Sequence, residues 1–291
     1  MDLFNRVPPA ARLMMMSAMG FSLMSLCVKL AANAGIPLME ILAARSLVSI
    51  VLCLWLLQGT GINLLGTNRW LLITRGLVGF VALSMVFYSV THLPLAEATV
   101  LQYLNPLFTA LLGLFLLKEP IHKGVIACIA LSMVGVLIMT TPGLSITDLR
   151  LKYPPLALAA ALGGASLSAL AYVIVRRLNV TENPLVIVLY FPLVSLPATL
   201  PFVIPNFVMP TLESGFYLLL VGLFTQIGQI CLTQAMQTES AGKAMSYSYL
   251  QVVFAGIWGV IFLAEIPAVA TFIGAAFIMT GAWINMVAKN K

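Results

Sequence analysis

Charge is what this chain has least of. Only 8% of its 291 residues are charged and nine are acidic, while 61% are hydrophobic and the mean hydropathy is +1.06. A soluble protein of this size carries about 25% charged residues, so water is not its main solvent. Histidine is scarcer still, with only His92 and His122, which fall at opposite predicted membrane faces. There is no HExxH pair, no GxSxG elbow, no phosphate-cradling loop and no pair of buried carboxylates, so catalysis lacks its groups. Cys27, Cys53, Cys128 and Cys231 all lie within apolar runs and form no close-spaced pair. Neither a disulfide framework nor a zinc site is expected, and no metal or cofactor.

Long apolar runs are what the chain has instead. A bilayer core of about 30 Å asks about 20 mostly apolar residues of a helix. Ten stretches qualify: 11–32, 38–57, 70–91, 95–117, 121–140, 154–177, 184–204, 214–236, 242–263 and 267–287. None shows the alternation of a barrel strand, and backbone groups in lipid must be satisfied internally. The expected fold is an all-α integral membrane protein of ten transmembrane helices. Arg6, Arg12 and the "ANA" at 32–34 mimic a cleaved leader, but the run is near 20 residues and Lys29 precedes the supposed site. The segment is therefore read as the first span.

The net charge of +6 points to nucleic acid only if its placement is ignored. With ten spans, the face holding the N-terminus collects Arg6, Arg12, Arg69, Arg75, Lys118, Lys123, Arg176, Arg177, Lys243, Lys289 and Lys291. The opposite face has Lys29, Arg150 and Lys152. By the positive-inside rule both termini are cytoplasmic, and the protein belongs in the inner (plasma) membrane.

Residues 97–120, "EATVLQYLNPLFTALLGLFLLKEP", return at 243–266 as "KAMSYSYLQVVFAGIWGVIFLAEI". Seven of the 24 positions are identical at an offset of 146, among them Ala98/Ala244, Tyr103/Tyr249, Gly113/Gly259 and Glu119/Glu265. That offset maps spans one to five (1–140) onto spans six to ten (154–291), with a polar linker at 141–153. Because five is odd, the second copy must enter the membrane upside down. Inverted repeats are a common secondary-transporter architecture, with the substrate site near the midplane between the copies; duplication as an economical way to build a bundle is the plainer alternative.

These motifs resemble the drug/metabolite transporter superfamily, EamA family. "LAEATVLQYLNPLFTALLGLFLLKEP" with "GVIACIALSMVGVLIM" is similar to that family's fourth and fifth helices, and "RGLVGFVALSMVFYSVTHLPLAEA" to its third. The second copy departs where Pro106 becomes Val252 and Pro120 becomes Ile266. The resemblance implies a transporter whose relatives move amino acids, nucleotide-like metabolites, vitamins, metallophores or drugs.

Helical winding gathers Gln102, Asn105 and Thr109 on one side of span four, with Tyr103 at its edge; Ser248 and Gln251, flanked by Tyr249, do the same in span nine. Polar side chains in hydrocarbon should face the bundle interior or a wet cavity, although hydrogen bonding between helices would explain them too. Span eight carries Gln226, Gln229, Thr233 and Gln237 on one face, with Gln234 beside it; its partner, span three, offers Phe87 and Tyr88. Amides on one wall and rings on the other suit an amino acid or related neutral or zwitterionic solute, aromatic ones included. A riboflavin-like vitamin or adenosyl metabolite is the alternative.

Arg45 lies about 10 Å into the membrane at 1.5 Å per residue, which makes it a substrate-binding candidate or a structural cation. Arg75, nearer the inner end, is expected to snorkel and to be structural. Glu97 borders the cavity face and is the candidate for proton coupling, or it merely caps a helix started by Pro94. The prolines of the span-seven stretch, Pro192, Pro197, Pro201 and Pro205, are expected to bend it, as a gate or passively. Beyond the solute and the bilayer no partner is implied; monomer and homodimer are both open. A lipid-linked sugar flippase is a further alternative, favoured only by Arg45.

Overall fold

The computed structural model describes residues 8–93, 98, 101–102, 104–118, 123–140, 154–263 and 269–287, and among these every regular element is helical. The helices are α1 (Pro9–Asn33), α2 (Leu38–Leu57), α3 (Arg69–His92), α4 (Asn105–Leu112), α5 (Lys123–Thr140), α6 (Pro155–Leu178), α7 (Pro184–Val203), α8 (Leu212–Thr238), α9 (Ala241–Ser246), α10 (Leu250–Leu263) and α11 (Val269–Val287). Among the described residues, seven helical stretches are long and apolar enough to cross a membrane: α1, α2, α3, α6, α7 with its 3-10 extension to Asn206, α8, and Lys243–Leu263. Asn105–Leu117 and Lys123–Gly135 are apolar but shorter.

Local chemistry sets the starts. Proline at the first turn opens α1, α6 and α7, where a missing N–H costs nothing. Asn68, Asn183 and Thr211 cap α3, α7 and α8 by accepting from Leu71, Leu185 and Ser214 amides at 3.3, 2.9 and 3.2 Å.

The expectation of unbroken helices over 95–117 and 242–263 needs correction. The chain turns at Leu104 before α4 starts, and Tyr247–Tyr249 form a 3-10 turn between α9 and α10. Pro106 accounts for the first break, since its ring and missing N–H end the preceding i→i−4 ladder. At the second, Val252 stands in place of that proline, and the Ser248 hydroxyl donates to the Met245 carbonyl at 2.6 Å. The two breaks occupy equivalent places in the repeat.

Packing between the halves comes in matched pairs. Helix α1 lies on α8 as α6 lies on α3, α2 meets α7, and α5 meets α11. Small residues allow the close approach. A Cβ at Gly20 would stand 2.9 Å from the Phe224 carbonyl oxygen, and one at Gly164 would stand 3.1 Å from the Val86 nitrogen. In α5 and α11, Gly135 meets Gly274 while Cys128 meets Gly281. Each residue's counterpart 146 positions on takes the other contact, and the two helices cross with chain directions opposed. Helices α2 and α7 are opposed as well: Ser46 meets Ser195 at 2.7 Å, while Cys53 and Leu57 cluster with Val188 and Leu189.

The outer surface is apolar, with Leu47, Val51, Leu77, Phe115, Leu193, Phe216 and Ile261 all exposed. In water that surface would be an aggregation hazard; against lipid it is the solvated face. The chain is a multi-pass membrane protein.

Candidate functional site

A cavity of about 70 Å³ lies where the halves meet, bordered by α1, α2, α3, α4, α6, α7, α8 and the α9–α10 break. One water needs about 10–15 Å³ on the same scale, so the space holds several waters or a small solute. Five pairs of lining residues are 146 positions apart: Arg45/Phe191, Leu83/Gln229, Val86/Leu232, Gln102/Ser248 and Asn105/Gln251. Equivalent parts of the two repeats thus face one another across the space, and they differ in chemistry.

Two arginines dominate it. Arg45 is 2% exposed and Arg75 3%. Their guanidinium carbons lie 4.7 and 4.9 Å from the centre of the Phe191 ring. Arg45 Nε donates to Thr225 Oγ1 at 2.9 Å, and Arg75 Nη2 donates to Gln229 Oε1 at 3.1 Å. Arg45 Nη1 and Arg75 Nε and Nη1 are buried without a partner, and among the described residues neither arginine meets a carboxylate. A membrane-centre cation costs about 2.5–3.5 kcal/mol on insertion scales. Each cation–π contact returns roughly 0.5–2 kcal/mol. Two cations sharing one ring also repel each other. The described residues leave this positive charge without a carboxylate.

Of the twelve expected binding residues, Arg45, Gln102, Asn105, Gln229, Ser248 and Gln251 line the cavity. Tyr103 and the coupling candidate Glu97 lie outside the described residues. Five others are placed elsewhere. Gln226 turns toward α2, its Nε2 donating to Cys53 Sγ at 2.9 Å. Helix α8 is wedged between α1 and α2, so only a narrow strip of its polar face sees the cavity. Phe87 is buried among Val28, Ile41 and Leu42. Tyr88 stacks on His92 with ring centres 4.0 Å apart. Gln234, half-buried, does not reach the lining. Tyr249 is buried beside Ala110, Val252 and Ile278.

Arg75, Phe191, Tyr172 and Ser168 are lining residues that the sequence reading did not select. Arg75 does not snorkel to the interface; Gln229 holds it inward. Phe191 had a signal, since it stands 146 residues beyond Arg45. Tyr172 and Ser168 had none in an Ala- and Leu-rich helix.

A carboxylate ties the halves together on each side of the cavity. Glu182, between α6 and α7, accepts from the Thr67 amide at 2.8 Å, the Thr67 hydroxyl, and the Asn68 amide at 2.6 Å. Burial pushes its carboxyl up, but the three hydrogen bonds outweigh burial and hold it below its ordinary 4.5. Tyr190 adds a hydroxyl bond to the Leu65 carbonyl at 2.7 Å. At the far end of α2, Glu40 Oε2 accepts from the Val208 amide at 3.1 Å, and Oε1 has no partner.

No group of three His, Cys, Asp or Glu among the described residues could hold a metal. The EamA-like transporter family matches residues 9–141 and again 155–287. The pseudopaline exporter CntI of Pseudomonas aeruginosa (strain UCBPP-PA14) is 30% identical over 270 residues, 92% of each chain. Solute carrier family 35 member G1 of Mus musculus is 30% identical over 285 residues, 93% of this chain and 77% of that one. A solved crystal structure shares the fold with a TM-score of 0.72 at 19% identity, covering 92% of this chain and 95% of the other. With two copies of the family's domain spanning it, the chain belongs to the EamA-like transporter family and is a membrane transporter of a small molecule, not an enzyme.

Proposed function

We propose that the protein is a secondary active carrier that moves a small amino-acid-like metabolite by alternating access. Its two five-helix halves, 1–140 and 154–291, joined by 141–153, would be inverted in the membrane. The opposed crossing of α5 with α11 through reciprocal residues supports the inversion, as does that of α2 with α7. The observation that carries the reading is the cavity itself, lined by repeat-related pairs and bordered by both helix breaks. Discontinuous helices at the midplane are where carriers of this architecture bind their solutes. Two buried cations at that site argue against a solute with no anionic group.

In this reading both termini are cytoplasmic, in the inner membrane. Exposed Trp55, Trp70 and Trp283 sit near helix ends on that same face, which suits an interfacial belt. The Glu182 latch then closes the cytoplasmic side and the Glu40 contact the outer side, with more hydrogen bonds on the inside. Similarity to an exporter of pseudopaline favours outward transport. Counterflow in proteoliposomes preloaded with amino acids tests the reading. Accumulation of labelled solute that ceases when the unlabelled pool is removed is expected; uniform passive leak, or channel-like currents, would overturn it.

A further inference from the structure

We infer that the cavity takes a solute bearing two carboxylates, one for Arg45 and one for Arg75. This rests on the carrier reading of the site and names its substrate class. A guanidinium has five N–H donors, yet among the described residues each of these arginines makes a single hydrogen bond. Three of their nitrogens are buried without an acceptor, on side chains that line the cavity. The buried acid on the same helix as Arg45, Glu40, is five residues away and committed to Val208. No described residue supplies the missing acceptors, and a bound anionic solute would.

Charge balance fixes their number. One carboxylate neutralises one arginine and leaves the other uncompensated in the membrane interior. A dicarboxylate pairs both, and one without an ammonium, such as succinate, leaves the loaded site that reorients between faces with no net charge. Charge-assisted bonds from arginine to carboxylate are also the stronger class of hydrogen bond. The arginines hold on to different residues of α8, Thr225 and Gln229, and share only the Phe191 ring. That spread fits two charges separated by a short carbon skeleton rather than one phosphoryl centre. Phe21, Met24 and Phe191 offer apolar contact to the skeleton, and Gln102, Asn105 and Gln251 offer amides to its remaining polar groups.

The test uses matched acids and amides on the purified full chain: glutamate against glutamine, succinate against succinamate, with citrate and glycerol 3-phosphate alongside. Binding is read by ligand-induced thermal shift and calorimetry, and movement by counterflow. Each diacid is expected to bind about tenfold or more tighter than its monoamide, since the amide leaves one arginine unpaired. Arg45→Gln and Arg75→Gln should each erase that preference, lowering glutamate affinity far more than glutamine affinity; Arg45→Lys and Arg75→Lys should keep part of it. A purely structural arginine would lower both affinities together. Equal or better binding of the amides overturns the inference, as does absence of binding by every diacid, or tighter binding of glycerol 3-phosphate. Should either Gln variant fail to fold, the wild-type acid-to-amide ratio still decides. Diacid binding without counterflow would sink the carrier reading and leave the site's chemistry standing; counterflow of neutral amino acids without acid preference would do the reverse.

Discussion

Gln226 and Gln229 stand three residues apart on α8 and differ in what they touch. Gln229 holds Arg75 at the cavity, while Gln226 meets Cys53 and leaves its own Oε1 unpaired. A hydrogen bond to a charged group contributes about 1.5–3 kcal/mol, and 1.36 kcal/mol is tenfold in rate. Gln229→Leu should therefore lower transport in proteoliposomes by about tenfold or more. Gln226→Leu should leave it within about twofold, because the change removes an amide that is already half unsatisfied. The sequence offered both as one polar stripe. Periodicity finds the face of a helix, but it cannot say how far that face is rotated between two neighbours, and α1 and α2 decide that here. Glu97 is a different case, proposed as the coupling acid on sequence grounds alone. If it carries the proton, Glu97→Gln will abolish stimulation of uptake by a pH gradient while counterflow at equal pH continues; retained stimulation would return it to a helix-start role.

At the scale of elements, close backbone approach is the stabilising device, because lipid gives no hydrophobic drive for helices to associate. A Cβ at Gly135 would strike the Gly274 carbonyl, whereas one at Gly215 would meet nothing within 4 Å. Gly135→Val should thus lower the thermal midpoint in detergent, at a cost of about 1–3 kcal/mol from overpacking. Gly215→Ala should leave it unchanged or raise it, since alanine is the better helix former. The Glu182 latch is a second element-scale device. Its carboxyl has a depressed folded-state pKa, so its contribution is complete above the ordinary 4.5 and is lost as pH falls through the lower folded value. The stability difference between wild type and Glu182→Ala should be constant near neutrality and shrink toward zero in acid. A difference that persists in acid would mean that the ionised carboxylate is not what the latch uses.

Long apolar runs made most helices legible. The span expected at 38–57 is α2, and that expected at 11–32 lies within α1. The break at Tyr247–Tyr249 was not legible, because the apolar run passes through it and the proline of the first copy is replaced by Val252. Nor was Arg75 legible as a cavity residue. Distance from a helix end suggested an escape to the interface, and only the neighbouring α8 shows what holds it in. The repeat was the strongest signal in the chain, and its offset alone pointed from Arg45 to Phe191.

For the molecule as a whole, the account requires one cavity that is reached from each face in turn. A single cysteine at Ser168, a lining residue, reports this when the four buried native cysteines are replaced and a membrane-impermeant thiol reagent is applied to oriented vesicles. Labelling is expected from either face. Bridging Thr67→Cys to Glu182→Cys with a bifunctional thiol reagent, before the reporter is exposed, should then block labelling from the cytoplasmic face, preserve it from the outer face and stop transport. Labelling confined to one face in the unbridged protein, or cytoplasmic labelling that survives the bridge, would contradict alternating access through this cavity.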